Sequence, residues 1–211
     1  MIPKNGLSLC ALALATGLLS QSVAAQTIID EWASVKAPPP PALKPVTIDT
    51  KTTALLMLDF NKQTCNEQRR PRCIASIPHV KKLLTAARAA GVPVVYSLGG
   101  GGKPADIAKD LAPTKDEPVV SASVDKFRGT DLDNILKGKG IKTVIAVGTA
   151  AHGAILYTAS AAALRGMTVI VPVDGMSGDI PYIEQYTAWH LTHAPGVSAK
   201  VTLTKIDDVK F

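Results

Sequence analysis

The segment Val144-Ile-Ala-Val-Gly-Thr-Ala-Ala-His-Gly-Ala-Ile-Leu-Tyr-Thr-Ala-Ser-Ala-Ala-Ala-Leu-Arg-Gly166 leaves this chain few folds to choose from. It opens as an uninterrupted apolar run, the pattern of a strand buried on both faces. Gly148 then starts a tight turn, and from His152 to Leu164 the chain reads as a helix built almost wholly of small residues. A strand that feeds a helix this way places the turn at the carboxyl edge of a parallel sheet, where open α/β folds bind their ligands. The turn from Gly148 to Ala154 has the layout of a nucleophile turn, yet it contains neither Ser nor Cys.

The same alternation runs through the rest of the chain. Thr53-Ala-Leu-Leu-Met-Leu-Asp59 is a second buried strand, ending in a carboxylate. Ile77 to Ala90 follows as a helix with Val80, Leu83, Leu84 and Ala87 on one face, and Gly91 stops it. Pro93 to Leu98 is a strand, Gly99 to Gly102 a flexible loop, and a helix capped by Thr130 runs through Leu136 to Gly140. Strands over 143–147, 168–173 and 200–204 and a helix over 182–193 complete the set. The expectation is an α/β domain over 51–211: a doubly wound, mostly parallel sheet with helices on both faces. Residues 26–50 form a proline-rich N-terminal arm, in which Pro38 to Pro41 must be extended.

Residues 1–25 read as a signal peptide. Lys4 supplies the positive start, Leu7 to Leu19 the apolar stretch, and Val23-Ala24-Ala25 the small residues before a cut at Gln26. That apolar stretch is too short to span a bilayer, so the mature chain is expected in a periplasm or outside the cell, with no membrane association after cleavage. The net charge of +6 is scattered over Arg69-Arg70, Lys81-Lys82 and Lys137 to Lys142, and aromatics make up only 4% of residues, so no nucleic-acid patch is expected. Cys65 and Cys73 are the cysteines left after maturation. In an oxidising compartment they read as a disulfide closing a surface loop that contains Pro71, two independent thiols being the alternative. No metal-ligand spacing surrounds them, and neither a metal nor any other cofactor is expected. The Gly99 to Lys103 run lacks the order of a phosphate loop, Pro104 following Lys103, and reads as a mobile rim.

Asp59 stands at the carboxyl end of an all-apolar strand, where partial burial would raise its pKa and suit it to general-base work. A plain loop cap is the other reading of the same position.

Three blocks resemble the isochorismatase-like, or cysteine hydrolase, superfamily. Leu56-Met-Leu-Asp59-Phe-Asn, with Cys65 six residues after the Asp, is similar to its opening strand. Phe127-Arg-Gly-Thr-Asp-Leu-Asp133 resembles its Phe-x-x-Thr-x-Leu helix start, and Gly148 to Gly166, through Thr158-Ala159 and Ala162, its nucleophile helix. The resemblance covers about 50–205 and implies a catalytic Asp, Lys and Cys. Asp59 falls on the Asp, but Ala154 falls on the Cys, which closes the thiolate route at that position. Counting without gaps puts the Lys on Ser121, with Lys126 the nearest cation, either reaching the site or lying solvated in its loop. The resemblance also implies a cis peptide at Thr149–Ala150 that aims backbone N–H groups at a developing oxyanion, with Ala151 beside it. Ala151-His152 matches an Ala-His pair carried by isochorismatases proper, which cleave a vinyl ether without the Cys. His152 is otherwise a helix-start residue, and Cys65 a substitute thiol only if it is unpaired.

The expected function is therefore an exported small-molecule hydrolase using acid/base chemistry without a covalent cysteine intermediate. Asp59, Lys126 and His152 are its candidate catalytic residues, and Ser121, Thr149, Ala150, Ala151 and Ala154 its candidate substrate-binding positions. The alternative is a pseudoenzyme that keeps the pocket as a binding module. The resemblance also implies a homo-oligomer.

Overall fold

The computed structural model describes residues 27–211, so the signal segment at 1–25 lies outside the described residues. The chain divides into two units between Ala37 and Pro38. In the first, Thr27 caps the short helix α1 (Ile28–Glu31) by donating its backbone N–H and Oγ1 to Asp30 at 2.8 and 2.9 Å, and a helical turn over Trp32–Ser34 follows.

The second unit is the α/β body. Its elements are β1 (Val46–Thr47), β2 (Thr53–Leu58), α2 (Pro71–Ala89), β3 (Val94–Leu98), β4 (Val119–Ser121), α3 (Leu132–Gly138) and β5 (Thr143–Thr149). These are followed by α4 (Leu156–Leu164), β6 (Thr168–Pro172), β7 (Met176–Ser177), α5 (Pro181–His193), β8 (Val201–Thr204) and β9 (Val209–Lys210). The main sheet has the order β4-β3-β2-β5-β6-β8, with β7 added to the end of β5, and every pairing in it is parallel. Within the arm segment 38–50, β1 pairs in parallel with β9, and Lys44 N–H donates to the Leu203 carbonyl.

Period-two alternation sorts the central strands between two cores. Leu56 and Leu58 of β2 and Val144 and Ala146 of β5 point to the layer that holds α4 and α5, with Ala159, Ala162 and Leu191 against them. Leu55, Met57, Ile145 and Val147 point to the opposite layer, formed by Val80, Leu83, Leu84 and Ala87 of α2 and by Ile206. All six β2 residues are buried, as a central parallel strand with helices on both faces requires. Each large apolar side chain so buried contributes about 1.5–3 kcal/mol.

Among the boundaries that differ from the sequence reading, two shape the site. Helix α2 begins at Pro71, well before Ile77, so Cys73 lies inside a helix and not in a surface loop. Proline at the first helical position is pre-set for the helix and gives up an N–H that would have had no partner there. The helix after β5 opens as a wide turn over Ala151–Ile155 with π geometry before α4 takes over.

The strand order reverses between β2 and β5, so their carboxyl ends form the switch point at which open α/β sheets bind ligands. Leu58 of β2 is in register with Gly148 of β5, which sets Asp59 beside the turn that follows.

Candidate active site

Asp59 takes its position from the backbone. It has φ +58°, a left-handed conformation that few residues other than Gly, Asn and Asp adopt. The sharp turn there swings the carboxylate off the strand axis to the sheet edge. Two glycines make the room. A Cβ on Gly99 would stand 2.5 Å from Asp59 Oδ2, and Gly148, with φ +142°, lies so close to Leu58 that a Cβ would strike its carbonyl. Asn61 clamps the two loops together: its Nδ2 donates to the Gly99 carbonyl at 3.0 Å, and Gly99 N–H donates to its Oδ1 at 3.2 Å.

The carboxylate of Asp59 is nearly enclosed. Ser97 Oγ donates to Oδ1 at 2.6 Å, and Lys126 Nζ donates to Oδ2 at 2.8 Å. Lys126 is fully buried, and its ammonium also donates to the carbonyls of Ala122 and Ser123 at 3.0 and 2.5 Å. An ammonium has three donors, and all three are engaged. Its backbone is held as well, Lys126 N–H donating to Thr158 Oγ1 at 3.2 Å. Burial pushes the Asp59 carboxyl above the ordinary carboxylate range, while Lys126, Ser97 and Arg70 draw it back down.

Asp59 lines a cleft of about 310 Å³, with Lys126 buried behind it. Ala122, Ser123 and Val124 form one wall, Ala150, His152, Gly153 and Ala154 another, and Thr64, Arg69, Arg70, Gly99 and Gly100 the rest. The candidate residues thus separate. Asp59, His152, Ala150 and Ala154 all border the cleft, with Lys126 directly behind Asp59. Ser121 is exposed at the end of β4, one residue short of the cleft wall. Thr149 is buried with Oγ1 donating to the Ser177 carbonyl at 3.2 Å, and Ala151 is buried behind the turn. The Thr149–Ala150 peptide is cis. Cys65 and Cys73 are joined in a disulfide with Cα atoms 5.5 Å apart, so Cys65 carries no free thiol.

Sequence reasoning passed over Ser97, Asn61, Arg69 and Arg70. Ser97 is one polar residue in an otherwise apolar strand, and that break in pattern was its signal. The two arginines read as solvated charge; only the cysteines that bracket them hinted that they are held near Asp59.

A parallel α/β sheet with a buried carboxylate–ammonium pair at its switch point defines a protein built around a small-molecule cleft. The comparisons with known proteins place it more narrowly. The sequence model of the Isochorismatase domain matches residues 53–197, and the chain belongs to that family. It is 31% identical to the secreted isochorismatase effector Isc1 of Verticillium dahliae, over 66% of this chain and 80% of that protein. It is also 27% identical to an N-carbamoylsarcosine amidase from an Arthrobacter species, over 57% of this chain and 56% of the amidase. Among solved structures, a cysteine hydrolase from Pseudomonas syringae pv. phaseolicola superposes with a TM-score of 0.66 at 22% identity, covering 80% of this chain and 95% of that one. The N-carbamoylsarcosine amidase of Thermoplasma acidophilum gives 0.63 at 23% identity, covering 74% and 97%. These two likenesses show the shared fold.

Proposed function

We propose that this protein is an exported small-molecule hydrolase that works by acid/base chemistry without a covalent enzyme intermediate. The observation that carries the proposal is the desolvated Asp59–Lys126 pair, whose Asp59 lines a cleft that is also lined by Ala154. Asp59 is the proton carrier, since burial brings a carboxyl toward the working pH of a general base. Lys126 is a positioning residue: with its protons spent on Asp59 and two carbonyls, it orients the carboxylate and offsets its charge. Ala150 and Ala154 line the cleft where the helix begins, Gly153 N–H being already donated to the Ala150 carbonyl at 3.0 Å. They are the cradle for an oxyanion or carboxylate. His152, exposed on the cleft rim, supplies a second polar group to the ligand. Export is supported by the secreted relative and by the disulfide.

Ala154 itself favours a second reading, a binding module that kept the cleft and lost turnover. A screen of amides and enol ethers on the mature protein separates the two. Asp59→Asn is expected to lower any turnover found at least a hundredfold, the range general-base catalysis contributes. Turnover unchanged in Asp59→Asn would sink the acid/base mechanism. Tight metabolite binding with no turnover would establish the module. Ala154→Cys is expected to react with iodoacetamide faster than a free thiol, because that position lines a cleft that also holds the cationic Arg69 and Arg70.

A further inference from the structure

Two charged side chains outside the Asp59–Lys126 ion pair border the same cleft, Arg69 and Arg70. Arg70 is only 6% exposed. Its Nε donates to Asp179 Oδ1 at 2.6 Å and its Nη1 to the Thr64 carbonyl at 3.0 Å. A guanidinium carries five N–H donors, so most of the fork is left for the cleft wall. Arg69 is exposed and makes no ion pair among the described residues. Since Asp59 balances Lys126 and Asp179 balances Arg70, Arg69 leaves the cleft with a surplus positive charge.

The backbone under both arginines is pinned. Arg69 N–H donates to Asn66 Oδ1 at 2.9 Å, Arg70 N–H to the Asn66 carbonyl at 2.8 Å, and Cys73 N–H to the Arg70 carbonyl at 2.9 Å. The disulfide between Cys65 and Cys73, both buried, closes the segment on either side of them.

We infer that Arg69 and Arg70 form a disulfide-held ledge that recognises a carboxylate on the ligand of this cleft. The planar fork of arginine matches the two oxygens of a carboxylate, whereas a primary amide turns an NH₂ donor toward donors and is rejected. The ledge therefore selects acids over their amides. The disulfide is the positioning element, so selectivity depends on its oxidation. This inference rests on the cleft being a ligand site, but not on any turnover there.

Benzoate and benzamide, titrated into the mature protein by calorimetry at fixed ionic strength, test it. Benzoate is expected to bind at least ten times more tightly than benzamide. Arg69→Gln is expected to weaken benzoate about tenfold, the scale of a charged hydrogen bond, and to leave benzamide unchanged. Arg70→Lys keeps the charge but loses the fork, and is expected to shift benzoate in the same direction. The Cys65→Ser/Cys73→Ser double variant is expected to lose the acid preference with its circular dichroism retained, and reduction of the wild type checks the same point without a substitution. Equal binding of acid and amide, no saturable benzoate binding, or a full preference in Arg69→Gln would overturn the ledge. A full preference in the reduced protein would overturn the role of the disulfide. Because binding is read without turnover, a failed acid/base mechanism leaves these outcomes as they stand.

Discussion

The two ends of the sheet carry two concavities of opposite character. At the carboxyl end lies the cleft of about 310 Å³ over Asp59 and Lys126. At the amino end, where β5 and β6 begin, a larger hollow of about 560 Å³ is lined by Asp133, Leu136, Lys137, Ile141, Lys142, Arg165, Gly166, Met167 and Thr168. The larger hollow also has an ion pair, Lys137 with Asp133 at 2.6 Å, but the lysine side chain is 73% exposed and the aspartate 35%. In the cleft the corresponding figures are 0% and 7%. Volume does not separate the two places; desolvation does. Water screens the outer pair and leaves it little chemical consequence, while the inner pair has lost its water and must answer to its immediate neighbours.

The largest contrast should come from removing the cation at each end. Lys126→Met leaves a carboxylate buried without its partner, and is expected to cost about 3–5 kcal/mol in chemical denaturation. Lys137→Met is expected to stay within about 0.5 kcal/mol. Similar losses for both would show that the inner pair is solvated and the comparison is false.

A smaller effect separates two glycines. Gly99→Ala drives a methyl into Asp59 Oδ2, and overpacking of this kind costs about 1–3 kcal/mol. Gly138, at the end of α3, has open space around its Cβ position, so Gly138→Ala is expected to be neutral or to stabilise by up to about 1 kcal/mol. Thermal melts of the two variants sharpen the contrast between the packed end and the open one.

The smallest effect is the pH dependence of stability. Burial raises Asp59 in the folded chain above the ordinary carboxylate value of about 3.9. The folded protein then binds that proton more tightly than the unfolded chain. The resulting stabilisation is complete below about pH 4 and is lost as the pH climbs through the raised folded value. Urea midpoints of wild type should therefore fall relative to those of Asp59→Asn across that interval. Parallel curves would mean that Lys126 and Ser97 cancel the effect of burial, and a relative rise that they outweigh it.

Much of this was legible in the chain. The apolar runs read at 53–59 and 143–147 are the central strands β2 and β5, and the Asp at the end of one and the turn after the other follow from parallel topology. Asp59, His152 and Ala154 could be named because a strand end and a helix start are local features. Ser121 was misplaced by ungapped counting, since loop length between β3 and the Phe127 block is not set by local pattern. Lys126 occupies the position next to Asp59 that Ser121 was assigned by that count. The arginines at 69 and 70 escaped because a charge in a polar segment looks the same whether it faces bulk water or a cleft.

What the sequence by itself determined was the order of strands and helices, the burial of the central strands, and the absence of a sulfur at position 154, all consequences of residue type and short-range periodicity. Only the tertiary structure decided which charges lost their water. Lys126 became a buried partner of Asp59, and Arg70 a wall of the cleft, because loops distant in sequence close over the switch point between β2 and β5. Desolvation is a property of that enclosure, and no window of consecutive residues encodes it.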